Sequence, residues 1–176
     1  MPKLPFDPIA EAERRWAEQW PEQAARMAAV TSVMRVQQLL LTEIERALRP
    51  YELTFASFET LRLLAFTRHG ELPMGKIGER LMVHPASVTN TVDRLEARGL
   101  VRRRPAAEDR RRILAELTAE GRALVEAATV DLNKADFGLG ALDDQTAAAL
   151  TDLLRIVRVA GGDFETPTQE ENAGNA

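Results

Sequence analysis

Apolar residues recur every three or four positions along most of the chain, and they alternate with polar residues only in two short segments. The first spacing is typical of helices that bury one face, and the second is typical of half-buried strands. Helices are predicted at about residues 8–20, 21–49, 54–69, 74–81, 85–98, 118–134 and 143–159. Strands are predicted at 100–104 and 113–117, with room for a very short strand or turn at 72–73.

Residues that favour helix ends stand at several of these boundaries. Asp7 can accept a hydrogen bond at the start of the first helix, where Pro8 fits the first turn. Thr118 can cap the helix that follows the second strand. Gly70 and Gly99 are expected to end the helices before them, because glycine adopts the left-handed conformation at low cost.

Val83 and His84 interrupt the helical pattern between two short helices, and Pro85 opens the second of these. A polar loop at 105–111 then joins the two strands into a hairpin. Two short helices, a turn and a hairpin form the outline of a winged helix-turn-helix. The predicted fold is therefore mainly α with a small β-hairpin wing, in the α+β class.

The chain is acidic overall but strongly basic at the predicted wing. Its 176 residues carry a formal net charge of −4. Residues 101–112 contain six arginines against Glu108 and Asp109, a local charge of +4. The overall acidity argues against a protein that coats nucleic acid through bulk positive charge, so any DNA contact is expected to be local.

Composition also restricts the class and location of the protein. With 45% hydrophobic and 28% charged residues, it resembles an ordinary globular protein. No apolar run approaches the ~18 residues of a membrane span, and the N-terminal residues do not resemble a signal peptide. We expect a cytoplasmic protein that does not bind membranes.

Several kinds of chemistry lack the residues that they need. The sequence contains no cysteine, which removes disulfides, thiolate metal sites and thiol switches. Its two histidines, His69 and His84, have no paired spacing. Neither a Ser-His-Asp or Cys-His set nor a metalloprotease, P-loop or dinucleotide-binding motif is present. The sequence predicts no enzyme, metal or cofactor.

The outward face of the helix that begins at Pro85 carries groups suited to the DNA major groove. With Val88, Val92 and Leu95 facing inward, hydroxyl and amide side chains face outward. Among the outward residues are Pro85, Ser87, Thr89, Asn90 and Arg94. An asparagine can bind adenine through two hydrogen bonds, and hydroxyls can reach bases or phosphates. A plain solvated face is the alternative, and the neighbouring arginines favour DNA.

Arginine at a hairpin tip is suited to the narrow minor groove of A·T-rich DNA, where the negative potential is enhanced. Arg111 holds this position, and Asp109 is placed to bind its guanidinium. The alternative is a surface salt-bridge network with no DNA partner. Six arginines against two nearby carboxylates leave such a network short of negative charge.

Three motifs carry a family resemblance. They are His84-Pro85-Ala86-Ser87-Val88-Thr89-Asn90-Thr91-Val92-Asp93-Arg94-Leu95-Glu96 with Arg98-Gly99-Leu100-Val101, then Asp109-Arg110-Arg111, then Leu117-Thr118-Ala119-Glu120-Gly121-Arg122. Together they resemble the recognition helix, wing and following helix of the MarR family of bacterial transcriptional regulators. The resemblance implies a homodimer that represses by binding a pseudo-palindromic DNA operator until a small anionic or aromatic ligand releases it. The DNA contacts predicted from face and resemblance are Pro85, Ser87, Thr89, Asn90, Arg94, Arg104, Asp109, Arg110 and Arg111.

The extra N-terminal helix with Trp16 resembles a branch of this family that responds to urate or related anions through a Trp, an Asp and two Arg. Trp16 and Arg103 match two of these positions, whereas Glu59 replaces the Asp and Thr91 replaces one Arg. Because a cation is lost, urate is not predicted. Trp16, Glu59 and Arg103 remain candidate ligand residues, with packing at a dimer interface as the alternative for Trp16.

The predicted organisation has four parts. N-terminal dimerisation helices occupy 1–53, the winged helix-turn-helix domain 54–117, C-terminal dimerisation helices 118–160, and a disordered tail 161–176. The long and terminal helices carry more apolar surface than the winged domain can cover, which favours a dimer with recognition helices ~34 Å apart. The alternative function is a ligand-independent or weakly specific architectural protein that binds DNA.

Overall fold

The computed structural model describes residues 4–107, 109 and 111–165. Arg110 and the predicted tail from 166 onward lie outside these residues. Within them the helices are α1 Pro8–Ala17, α2 Pro21–Leu48, α3 Phe55–Phe66, α4 Met74–Leu81, α5 Pro85–Ala97, α6 Ala119–Lys134 and α7 Asp144–Ala160. The strands are β1 Glu71–Pro73, β2 Val101–Pro105 and β3 Ile113–Leu117.

The strands form one antiparallel sheet in the order β1-β3-β2. Leu114 of the central strand lies opposite Pro73 on one side and Arg104 on the other. A helical protein with a small sheet is the fold class that the sequence predicts, so this prediction is confirmed. The sheet also confirms the hairpin and the very short strand before α4.

The hydrophobic core lies beneath α5 and joins it to the second half of α2, to α3, to α6 and to the sheet. Leu48, Leu61, Val92, Val125 and Leu132 are fully buried there. Because each contributing helix buries only one stripe, the opposite face of α5 is left to solvent.

The predicted helix starts are confirmed by side-chain caps. Asp7 Oδ1 accepts from the backbone N–H of Ile9 at 2.8 Å, and Thr118 Oγ1 accepts from Gly121 at 3.0 Å. The prediction that Gly70 ends α3 is wrong, because α3 ends at Phe66. Thr67 takes an extended conformation, and its hydroxyl donates to the Leu64 carbonyl at 2.7 Å, which ends the helix before glycine is reached.

Gly121 lets the first turn of α6 lie against the end of the α5–β2 connection. A Cβ atom at this position would overlap the carbonyl oxygen of Leu100. The same carbonyl accepts hydrogen bonds from the backbone and hydroxyl of Thr118. The glycine of the Leu-Thr-x-x-Gly motif is therefore required by packing.

The chain divides into two compact units after Gly138. In the second unit, Asp143 caps α7 by accepting from the backbone N–H of Thr146 at 2.8 Å. Residues 161–165, predicted as the start of a disordered tail, turn back onto this helix, where Arg158 pairs with Asp163 at 2.6 Å. Among the helices of the described residues, none has the length and apolar character that crossing a membrane requires.

Candidate nucleic-acid interface and ligand cavity

The polar face predicted for α5 is exposed in the structure. Val88, Val92 and Leu95 are buried beneath it. The exposed residues include all of the predicted major-groove contacts, Pro85, Ser87, Thr89, Asn90 and Arg94. α5 thus presents two hydroxyls, an amide and a guanidinium on one surface.

Hydrogen bonds within α5 restrict what two of its first residues can offer to DNA. His84 caps the helix, since its Nδ1 accepts from the backbone N–H of Ala86 at 3.2 Å. The Thr89 hydroxyl donates to the Pro85 carbonyl at 3.1 Å. Thr89 can therefore accept a hydrogen bond from DNA without releasing its own, whereas the side chain of Asn90 has no partner among the described residues.

Arg103 holds α5 against β2. Its guanidinium pairs with Asp93 at 2.5 Å and with Glu96 at 2.7 Å, and it donates to the Thr89 carbonyl at 3.3 Å. Glu96 also accepts from the backbone N–H of Arg103 at 2.8 Å. Arg103 is thereby engaged in orienting the exposed face of α5.

The other two strand arginines share one carboxylate. Glu116 binds Arg102 at 2.6 Å and Arg104 at 3.0 Å, and Arg104 also pairs with Glu71. The hydrogen bonds from Arg102, and then those from Arg104, hold the pKa of Glu116 below its ordinary value despite partial burial. Arg104, a predicted DNA contact, is thus bound by two carboxylates.

These ion pairs correct the charge argument made from the sequence. The arginines of β2 are balanced by carboxylates that lie outside residues 101–112 in sequence but beside them in space. These carboxylates are Glu71, Asp93, Glu96 and Glu116. Within residues 101–112, the positive charge left without a described partner is therefore confined to the loop between the strands.

The loop is shaped by Asp109, but not in the predicted way. Asp109 Oδ1 accepts from the backbone N–H of Arg111 at 3.0 Å, and its carbonyl accepts from Arg112 at 2.9 Å. Because this closes a tight turn, Asp109 fixes the backbone rather than the guanidinium of Arg111, which corrects the predicted brace. In the part of the chain that the structure describes, no carboxylate pairs with the exposed guanidinium of Arg111.

A cavity of about 550 Å³ lies between α3, α4 and α6. Its walls are mostly aromatic and aliphatic, with a few polar groups. The apolar lining consists of Phe55, Phe58, Leu63, Phe66, Leu81 and Phe137, and the polar lining of Glu59, Arg62, Thr129 and Asn133. This is the size and character typical of small-molecule sites.

Only one of the three predicted ligand residues lines this cavity. Glu59 does so, whereas Arg103 is bound at α5 and Trp16 lies against Trp20, with ring centroids 5.0 Å apart. The cavity therefore does not combine the three. The ligand roles of Trp16 and Arg103 stay predictions.

Arg62 is a residue that sequence reasoning missed. It donates to the carbonyl of Val125 at 2.9 Å and to the Thr129 hydroxyl, and it pairs with Glu126 at 3.0 Å. Its guanidinium also lies 5.4 Å from the ring centroid of Phe66. A lone arginine within the strongly apolar α3 was the signal that could have identified it.

Glu59 lines the cavity without an ion-pair or hydrogen-bond partner among the described residues. It is half-buried in the cavity wall, and this burial raises the pKa of its carboxyl group. An unpaired carboxylate in an apolar wall is costly for the fold. Such a group is a candidate for binding a ligand.

A chain of hydrogen bonds connects α6 to α5 through the turn that follows α2. The Tyr51 hydroxyl donates to Asp131 on α6 at 2.6 Å. The Arg98 guanidinium, just after α5, donates to the carbonyls of Tyr51 at 2.9 Å and Glu52 at 2.6 Å. The C-terminal end of α5 is therefore connected to α6, which forms one wall of the cavity.

Comparisons of the sequence and of the structure with known proteins agree on one family. The MarR family model matches residues 53–113. An HTH-type transcriptional regulator of Bacillus subtilis, YhbI, is 37% identical over 98 residues, which span 54% of this chain and 61% of that protein. The crystal structure of Sco5413, a MarR family regulator from Streptomyces coelicolor, is 56% identical with a TM-score of 0.74, covering 81% of this chain and 99% of that one.

A third similar structure, BpsR of Bordetella bronchiseptica, is 26% identical with a TM-score of 0.66 and covers 79% of this chain and 95% of that one. Its DNA binding is regulated by 6-hydroxynicotinic acid. The family predicted from the three motifs is therefore confirmed, whereas none of these findings bears on the urate-responsive branch.

Proposed function

Because the chain belongs to the MarR family of transcriptional regulators, we propose that it is a homodimeric repressor whose binding to a pseudo-palindromic operator is relieved by a small ligand. The observation that carries this proposal is the exposed polar face of α5 beside an exposed arginine at the wing tip. Asn90 and Ser87 would bind base edges in the major groove, and Arg111 would enter the minor groove. Arg110 is assigned to the same loop from the resemblance alone.

Support for the homodimer comes from α2. Its first two thirds expose the large apolar side chains Val30, Val33, Met34, Val36 and Leu39. Large apolar side chains exposed along one stretch of a helix mark an interaction surface. A second copy of the chain would cover it and would set two α5 helices about one DNA turn apart, ~34 Å.

We assign the effector to the cavity between α3, α4 and α6. A ligand there would contact Thr129 and Asn133, which flank Asp131 on α6. Since Asp131 is linked through Tyr51 to Arg98, a shift of α6 on ligand binding would be passed to α5. A ligand that binds one spacing of the two α5 helices better than another lowers operator affinity by that difference.

Selection of preferred duplexes from random DNA tests the regulator against the architectural alternative. The affinity for a selected duplex is compared with that for its scrambled sequence at one physiological salt concentration. A regulator is expected to prefer the selected duplex by 10³-fold or more, on the order seen for specific DNA-binding proteins. A ratio below ~10 would instead support a weakly specific architectural protein.

A further inference from the structure

Glu59 stands out in the cavity because Arg62, the other charged residue that lines it, already has an ion-pair partner in Glu126. It lies on α3 among Phe55, Phe58 and Leu63, and neither an ion pair nor a hydrogen bond satisfies it within the described residues. A carboxylate surrounded by hydrocarbon gains free energy from any ligand that brings a positive charge or a strong donor. The cavity therefore contains an unpaired negative charge that a cationic ligand would balance.

Arg62 lies one turn away on α3 but does not meet this requirement. Its terminal nitrogens are engaged by Glu126, by Thr129 and by the Val125 carbonyl, and its guanidinium lies against the ring of Phe66. Glu126 supplies a negative charge of its own, so the Arg62–Glu126 pair is neutral. The remaining polar wall residues, Thr129 and Asn133, are uncharged, and the unbalanced charge of the cavity is therefore negative.

We propose that the effector of this cavity is a hydrophobic cation, an organic amine whose ammonium group binds Glu59 while its hydrocarbon part lies among the phenylalanines. This rests on the proposed function, which assigns the effector to this cavity. The aromatic walls suit the same ligand, because phenylalanine faces attract cations as well as hydrocarbon. A volume of about 550 Å³ accommodates a fused two-ring amine.

The charge of Glu59 favours cationic ligands, whereas the resemblance to the anion-responsive branch suggests anionic ones. A carboxylate or urate-like anion in this cavity would approach Glu59 with a like charge in an apolar environment. The terminal nitrogens of Arg62 could bind such an anion only by releasing Glu126, and its Nε, which has no partner among the described residues, is buried away from the cavity space. Anionic ligands are therefore the class that this cavity rejects.

The pH dependence of ligand affinity distinguishes a site with a titrating carboxylate from a purely apolar one. Burial raises the pKa of Glu59 in the empty cavity. A bound ammonium favours the ionised carboxylate and lowers that pKa again, so ligand binding releases protons. The affinity for an amine is then expected to fall as the pH is lowered through the pKa of Glu59, whereas the affinity for a neutral analogue stays constant.

Three probes of the same shape and different charge test this proposal. They are 1-naphthylmethylamine, 1-naphthalenemethanol and 1-naphthoate, each titrated calorimetrically into the DNA-free protein near neutral pH. The amine is expected to bind at least about tenfold more tightly than the alcohol, as for hydrogen bonds to charged groups. Naphthoate is expected to bind most weakly.

Two variants locate the effect. Glu59→Gln keeps the side-chain size and removes the charge, so the advantage of the amine over the alcohol is expected to disappear while the alcohol still binds. Glu79→Gln removes an exposed carboxylate of α4 that is paired with Lys76, and it should retain the advantage. Retained alcohol binding shows that the Glu59→Gln cavity is intact.

Equal binding of amine and alcohol, tighter binding of naphthoate, or no binding of any probe overturns the proposal. Operator affinity is measured separately in the absence of probes. A protein that binds a selected operator but shows no preference for the amine refutes only the cation inference. A protein with amine selectivity and no operator specificity refutes the proposed regulator but leaves the cation site at Glu59 supported.

Discussion

At the residue scale, the arginines of the wing fall into two groups with different capacities to bind DNA. Arg102, Arg103 and Arg104 are bound by carboxylates of β1, β3 and α5. Arg111 lies in the loop, and its turn is fixed by a backbone hydrogen bond to Asp109. An arginine already bound by carboxylate must give up that partner before it binds phosphate, so the loop arginine contributes more.

Replacing Arg111 by Ala is expected to weaken operator binding without lowering the melting temperature. It should also reduce the slope of log affinity against log salt concentration by about 1, since one phosphate-type contact is lost. Fluorescence anisotropy over a salt series measures both quantities. Arg102→Ala removes the same charge from the same wing, but this arginine is bound by Glu116, so its effect should be much smaller. Equal losses in both variants would contradict the assignment to Arg111.

Asn90 offers the test of base recognition. Asn90→Ala is expected to abolish the preference for adenine at one position of each half-site, at a cost of about 1–3 kcal/mol for the preferred base. A set of duplexes that vary one base pair at a time measures this. If the variant weakens binding to all duplexes equally, Asn90 contacts the DNA backbone instead.

Glu59 should reduce stability in the ligand-free protein. Burial raises its pKa from 4.5, so the folded protein holds this proton more tightly than the unfolded chain. The stabilisation is then complete below pH 4.5 and is lost as the pH rises through the raised pKa. Glu59→Gln is therefore expected to raise the melting temperature near neutral pH and to have little effect below pH 4.5. A lower melting temperature at neutral pH would indicate that the carboxylate has a stabilising partner.

At the scale of elements, local signals explain why nearly every helix and strand is predicted from the sequence. Asp7, Thr118 and Gly99 determine helix ends through contacts within a few residues, and the hairpin follows from alternation and a polar loop. The end of α3 differs because the Thr67 hydroxyl binds a carbonyl three residues earlier. That contact competes with the glycine signal and is not apparent from spacing alone.

The candidate site could be predicted only where one element supplies it. The exposed face of α5 follows from helical periodicity. In contrast, the carboxylates of the wing arginines come from β1, β3 and α5, and the cavity combines α3, α4 and α6. Pairings between distant segments depend on tertiary packing, which periodicity does not encode. For this reason the sequence indicates neither the contacts of Arg62 in the cavity nor the ion pairs of Arg104.

The junction between β2 and α6 provides a test of packing between elements. Gly121→Ala places a methyl group on the Leu100 carbonyl, so the helix must move, with an expected loss of about 1–3 kcal/mol. Gly75→Ala on α4 is the matched control, because nothing lies within 4 Å of its added Cβ. That variant should be neutral or more stable, since alanine favours helix. Chemical denaturation of both proteins measures the difference, and equal stabilities would contradict the close approach.

At the scale of the whole molecule, the apolar surface of α2 determines whether the protein is a monomer or a dimer. Val30→Asp places a charge in that surface and is expected to convert the protein to monomers, because the charge would be buried without a partner in a dimer. Operator binding should fall with it, since a monomer reaches one half-site only.

Sedimentation equilibrium measures the oligomeric state of this variant. Thr31→Asp is the control, because Thr31 is exposed and shares a polar stripe of α2 with Arg35 and Gln38, four and seven residues along, away from the apolar side chains. It should leave the oligomeric state unchanged. A wild-type protein that sediments as a monomer at micromolar concentration would refute the homodimer.

The two hydrogen bonds from Arg98 to the turn after α2 hold the C-terminal end of α5, so that a rotation there moves its N-terminal end further. The thirteen residues of α5 span ~20 Å at 1.5 Å per residue. A tilt of only ~10° about the Arg98 end would therefore move the Pro85 end by roughly 3.4 Å, close to the 3.4 Å rise of one DNA base step. A small rotation at the Arg98 end would thus displace the DNA-facing end of each α5 by about one base step, and two such displacements in opposite directions would put the dimer out of register with its operator.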